Sequence, residues 1–160
     1  MRRPRFTEHQ RIVVAVTDSE ASLQAAGVAA QLVPQRGELV FVHVLEVPLE
    51  FTLDQPAPDG ERQRKAAAHD LLGRCQALAE RYGVSSRRLI ERQHIAGPAI
   101  VEAAERHRAG LIVIAGRQRF SRSGRVRLGA TATYVLKHAQ CRVMVISTQT
   151  EQAATALKVA

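Results

Sequence analysis

The chain has 160 residues, 46% hydrophobic and 24% charged, which fits one globular core and excludes a disordered or fibrous chain. Its apolar runs fall far short of the roughly 20 residues that cross a bilayer, so no membrane insertion is expected. The net charge of +8 implies attraction to anions, but four Phe, two Tyr and no Trp are too few stacking platforms for a single-strand nucleic-acid reader.

Residues 1–10 are basic and polar, lack the apolar stretch of a secretory signal, and read as a loose leader. Arg11 to Val16 is a β-branched run that ends in Thr17-Asp18-Ser19, turn and N-cap chemistry, so a buried strand runs directly into a helix. In that helix Ala21, Ala25, Val28, Ala29 and Leu32 fall on one predicted face, and Pro34 and Gly37 stop it. Ser19 and Ser22 read as helix caps. Leu39 to Val44 is a second buried strand, and His43 within it reads as a hydrogen-bonded core residue.

Pro48, Pro56, Pro58 and Gly60 mark 46–60 as the one long loop. The following helix carries Ala67, Leu71, Cys75, Leu78 and Tyr82 as its apolar stripe, and Gly83 closes it. Arg87 to Gln93 is a polar strand expected at a sheet edge. Gly97-Pro98 opens a helix whose inner face is Ile100, Ala103, Ala104 and His107, and Leu111 to Ala115 is the next buried strand. Gly116 to Leu128 reads as a loop bearing Arg117, Arg119, Arg122, Arg125 and Arg127. A helix with Ala132, Val135, Leu136 and Ala139 on one side, a last strand Arg142 to Ile146 and a loose tail over 148–160 complete the chain.

The alternation of strands and helices predicts one α/β domain over 11–147, a doubly wound, mostly parallel five-stranded sheet with helices on both faces, Rossmann-like in type. Ligands of such sheets sit beyond the carboxyl ends of strands where the order reverses. Those ends are Val16-Thr17-Asp18 and Ala115-Gly116, with Val44 at the end of the second strand. Cys75 and Cys141 lie far apart without a C-x-x-C spacing, which fits buried, reduced thiols in a cytoplasmic protein. The six histidines show no metal-ligand spacing, so no metal is expected.

Ile12 to Ser22, Gly97-Pro98-Ala99-Ile100, and the block from Leu111 through Leu128-Gly129-Ala130 and Tyr134-Val135-Leu136 to Cys141–Ile146 resemble the universal stress protein family over nearly all of Arg11 to Ser147. The resemblance implies a homodimer, with Arg142, Val143, Met144, Val145, Ile146 and Ser147 pairing across a two-fold axis. It also implies a regulatory role in stress response or on a protein partner, and in some members an ATP site. ATP-binding members carry G-x2-G-x9-G-[ST] after the fourth strand and an aspartate at the end of the first. Here the pattern reads Gly116-x2-Arg119-x9-Gly129-Ala130, and Thr17 holds the aspartate position with Asp18 one residue later.

Arg119 lacks the backbone freedom of glycine, Ala130 has no hydroxyl, and Thr17 has no carboxylate. Thr131 could replace the hydroxyl if the helix began one residue later, and Asp18 the carboxylate if the strand end shifted register. The helix start at Gly129, with Arg119, Arg125 and Arg127 around it, remains an expected anion site. No cofactor is required, and weak or absent binding of ATP or another adenine nucleotide is expected, with no catalysis. Three alternatives stay open: slow ATP hydrolysis or self-phosphorylation held by the 116–131 loop, nucleic-acid or polyanion binding through its arginines with no specific nucleic-acid recognition expected, and a transporter as partner. The last follows from Leu45-Glu46-Val47-Pro48 and the acidic, proline-rich stretch after it, which resemble stress-protein modules attached to amino-acid transporters.

Overall fold

A computed structural model describes residues 10–55, 60–120 and 123–148. The expected leader and tail, beyond Gln10 and Thr148, fall outside them, as do Pro56, Pro58 and Arg122. The elements are β1 (Arg11–Ala15), α1 (Glu20–Leu32), β2 (Glu38–Glu46), α2 (Glu61–Arg81), β3 (Ser85–Gln93), α3 (Ala96–Arg106), β4 (Leu111–Phe120), β5 (Val126–Leu128), α4 (Ala130–His138) and β6 (Arg142–Thr148).

Five strands are parallel in the order β3-β2-β1-β4-β6, and β5 pairs antiparallel with the far end of β4. The sheet is open and wound in both directions from β1. Its central strands are apolar over residues 12–15, 39–42 and 111–115, where both faces are covered. Ile12, Val14, Leu39, Phe41 and Val113 pack under α1 and α2, while Val13, Val40, Val42, Ile112 and Ile114 pack under α3 and α4. β3 lies at one edge, as its charge predicts. No described helix is long and apolar enough to cross a membrane.

Several predicted faces are displaced. α1 buries Ser22, Ala25, Ala26, Ala29 and Ala30, and Leu32 is exposed, because a helix this rich in alanine presents no dominant stripe. In α2 Ala68, Leu72 and Ala79 join Leu71 and Cys75 in the core, whereas Ala67 and Tyr82 are exposed. Leu136 is exposed on α4, and His107 caps the end of α3. The segment 116–128 is not a loop: β4 runs on to Phe120 and turns into β5, with Gln118, Arg119 and Phe120 opposite Leu128, Arg127 and Val126. Gly124 supplies a positive φ of 73° between the strands.

The one long connection, after β2, is held by Arg92 of β3. Its guanidinium pairs with the buried Glu61 carboxylate at 2.8 Å and donates to the carbonyls of Leu53 and Gln55. Hydrogen bonding from Arg92 holds the Glu61 carboxyl below its ordinary value of 4.5. A depressed folded pKa stabilises the protein above the unfolded value and the gain is lost as pH falls through the folded one. Arg92→Met should therefore lower Tm at pH 7 by stranding Glu61, and the gap to the parent should narrow on acidification to about pH 3. A gap that stays constant across that range would contradict the pairing.

Candidate functional site

β1 and β4 pair in parallel up to Ala15 opposite Ile114, so Val16-Thr17-Asp18 and Ala115-Gly116 leave the sheet side by side. The first turn of α4 comes down on the same edge. A Cβ added at Gly116 would lie 2.5 Å from Val145 Cγ1, 3.3 Å from Leu128 Cδ2 and 3.9 Å from Ala132. Gly116 is therefore demanded by close packing of β6 and β5 on β4. Gly97 has a similar role, since its Cβ would meet the Tyr134 ring at 2.8 Å where α3 crosses α4.

Val16 spends its main-chain groups on β2: its N–H donates to Val42 O at 2.9 Å and its carbonyl accepts from His43 Nδ1 at 2.9 Å. The bond fixes the His43 proton on Nδ1, as expected of a core histidine. Thr17 donates its N–H to Ser22 Oγ at 2.9 Å. Its hydroxyl lies 3.1 Å from Ser22 Oγ and 3.2 Å from Ser19 Oγ. Ser19 is the N-cap of α1, accepting from Ser22 N–H. Ser22 is not a cap of α1 but a buried acceptor that ties the strand end to the helix. The three hydroxyls thus close on one another where a carboxylate would stand.

Asp18 does not take over that role. Its carboxylate lies 3.0 Å from Arg74 of α2, an exposed pair on the α1–α2 face of the sheet, and the strand register is unshifted. Val44 is half-buried on the opposite face with α3 and α4. Nor does the helix begin late: Ala130 is its first residue and Thr131 its second, so the shift that would bring Thr131 into the hydroxyl position is absent.

Two helix starts at this edge are satisfied. Ser19 caps α1, and Glu46 Oε1 accepts the Ala96 N–H of α3 at 3.0 Å, a contact that no local pattern in the sequence signals. The α4 start has no side-chain cap, and a Cβ at Gly129 would meet nothing within 4 Å. Its N–H groups and positive dipole end favour negative charge by ordinary electrostatics. Arg117, Arg125 and Arg127 are exposed near it along the chain. Arg119 pairs with Arg127 through its backbone, and its side chain lies outside the described part. A groove of about 250 Å³ opens elsewhere, at the amino end of β4 among Val101, Ala104, Arg108, Ile112 and Cys141, and holds none of the predicted site residues.

This sheet order, with the Gly116 and Gly129 spacing at its switch point, is accompanied by a match to the universal stress protein family model over residues 8–147. The chain belongs to the universal stress protein family. The Archaeoglobus fulgidus universal stress protein, solved with dAMP, is similar with a TM-score of 0.65 and 22% identity, over 85% of this chain and 96% of that one. A family protein from Burkholderia pseudomallei gives 0.61 and 26%, over 86% and 96%. An Arabidopsis thaliana member with AMP bound gives 0.59 and 18%, over 89% and 94%. No curated protein matches the sequence significantly.

Within this universal stress protein the two retained glycines differ in kind. Gly116→Ala should cost about 1–3 kcal/mol by overpacking. Gly129→Ser should be neutral or stabilise by roughly 0.3 kcal/mol, serine being a better N-cap. Denaturant titration of both variants checks the pair, and equal losses would contradict the packing described. Cys75, fully buried with its thiol pushed up to about 11 by desolvation, should react with thiol reagents only on unfolding.

Proposed function

We propose that this protein is a regulatory module of the universal stress type that works in the cytoplasm as a homodimer on a protein partner, and that its crevice holds adenine nucleotides only weakly. One observation carries the weak affinity: the residue at the aspartate position is Thr17, whose hydroxyl is engaged with those of Ser19 and Ser22, while Asp18 faces Arg74. A ribose or base would meet no carboxylate there and would have to break a closed set of hydroxyl bonds. The nucleotide class is supported by the dAMP and AMP complexes of two structural relatives and by the uncapped α4 terminus. Arg125 and Arg127, with Arg119, are the proposed phosphate contacts. Turnover would need a base or a metal carboxylate in the crevice, so binding without hydrolysis is proposed, and no cofactor is required.

The dimer is proposed through β6. Among the described residues this strand pairs with β4 alone, and Val143 to Ser147 are half-buried, with Arg142 exposed. An apolar edge strand is a template for a second copy. Leu49 and Ile95, 79% and 58% exposed, border the loop after β2, where Val47 N–H bonds Gln93 O at 2.9 Å. They are candidate contacts for a protein partner, a transporter being the lesser candidate.

Calorimetry should give a Kd for Mg-ATP and AMP on the order of 1 mM or weaker. Thr17→Asp should tighten it tenfold or more, about 1.4 kcal/mol. Micromolar binding by the parent would overturn the reading. Native mass spectrometry should show a dimer without nucleotide, and a monomer at micromolar concentration would remove the β6 interface.

A further inference from the structure

The charge of the chain is not spread evenly. From Arg106 to Thr150 there are nine Lys and Arg and no carboxylate, so all 15 Asp and Glu lie outside this stretch and cancel the other cations. Five of the nine are arginines between Arg117 and Arg127, on or between β4 and β5. β4 and β5 pair as an antiparallel ribbon, and alternation along each strand places positions 117 and 127 on one face, with 118 and 128 on the other. The second face is anchored inward, since Leu128 packs with the α3–α4 core and against Gly116. The first face looks to solvent: Arg117 and Arg127 are exposed, as is Arg125 just before β5.

Arg117 and Arg127 are diagonal neighbours on this face, and like charges there oppose one another. A ribbon shaped by stability alone would set a carboxylate or threonine at one of these positions. Among the described residues neither Arg117 nor Arg127 has an ion-pair partner. The arrangement is relieved by an external polyanion that spans several guanidinium groups at once. Arginines two apart on a strand recur at about 6.8 Å, and each offers a fork that matches phosphate oxygens.

We propose that the arginine face of the β4–β5 ribbon binds the phosphate backbone of duplex nucleic acid without reading its sequence. A two-stranded ribbon fits the major groove of a duplex, and contacts limited to phosphates carry no sequence information. Single strands are disfavoured because the chain has few aromatic residues to stack on. An anionic membrane surface is disfavoured because, among the described side chains, the exposed large hydrophobic residues Leu32, Leu49, Tyr82, Ile95 and Leu136 all lie off the ribbon, and surface binding couples cations to apolar anchors.

The test is fluorescence anisotropy of the full chain with a random-sequence DNA duplex of about 30 base pairs, over a salt series. Binding is expected with a Kd on the order of 10 μM or tighter at about 50 mM salt and a slope of log K on log salt of about −3 to −4. Arg117→Glu/Arg127→Glu should weaken binding at least tenfold and flatten the slope by about 2. Arg62→Glu/Arg81→Glu, the same charge change on exposed positions of α2, should flatten it far less. Arg127→Glu alone should raise the Tm of the free protein by removing its repulsion with Arg117. No duplex binding at low salt, an equal loss in the α2 variant, or binding to phosphatidylserine vesicles in place of duplex would each overturn the proposal. The nucleotide titration above is a separate measurement, so either reading can fail without the other.

Discussion

Parallel pairing of β1 with β4, from Ile12 against Leu111 to Ala15 against Ile114, decides where the two halves of the chain meet. Because β2 and β3 grow from one side of β1 and β4 and β6 from the other, the strand ends at Thr17 and Gly116 diverge over a gap with no crossing connection. β6 and β5 can close on the end of β4 beside that gap only because Gly116 has no side chain. Move β4 away and the hydroxyl cluster, the uncapped helix and the arginine ribbon would no longer share one edge of the molecule.

Much of this was legible before the coordinates, and the reasons are local. Residues 12–15 of β1, residues 39–42 of β2 and the first half of β4 are covered on both faces, so each reads as a run of apolar residues. Ser19 and Gly83 carry the backbone chemistry their caps require. The ribbon was hidden because its alternation is written in Arg and Gln, residues that also mark loops, and only pairing across Gly124 reveals it. The alanine-rich face of α1 failed for a related reason: with small side chains on most sides, tertiary packing rather than periodicity selects the buried stripe. Arg92 with Glu61 and Glu46 with Ala96 join residues 31 and 50 positions apart, and no window along the sequence contains both partners.

The site was legible to a different depth. Loss of a carboxylate at position 17 could be read directly, but what replaces it could not. A threonine there could have pointed into the crevice as a hydroxyl donor. Instead Ser22, one turn into α1, captures both its N–H and its hydroxyl, and the position is spent on joining strand to helix. Asp18 is likewise drawn to the other face by Arg74. That exposed ion pair contributes little to stability, yet it sets the direction of the only carboxylate that could have served.

These departures do not make the edge inert. The attraction of the α4 terminus for anions depends on unsatisfied N–H groups, which neither Ala130 nor Arg119 removes. Loss of the ribose anchor therefore separates two properties that a nucleotide site combines, affinity for phosphate and selection of the group attached to it. A surface that keeps the first and loses the second becomes a general phosphate binder. Concentrating the positive charge of the chain on the adjoining ribbon, against the electrostatic cost of setting Arg117 beside Arg127, pushes the edge in that same direction.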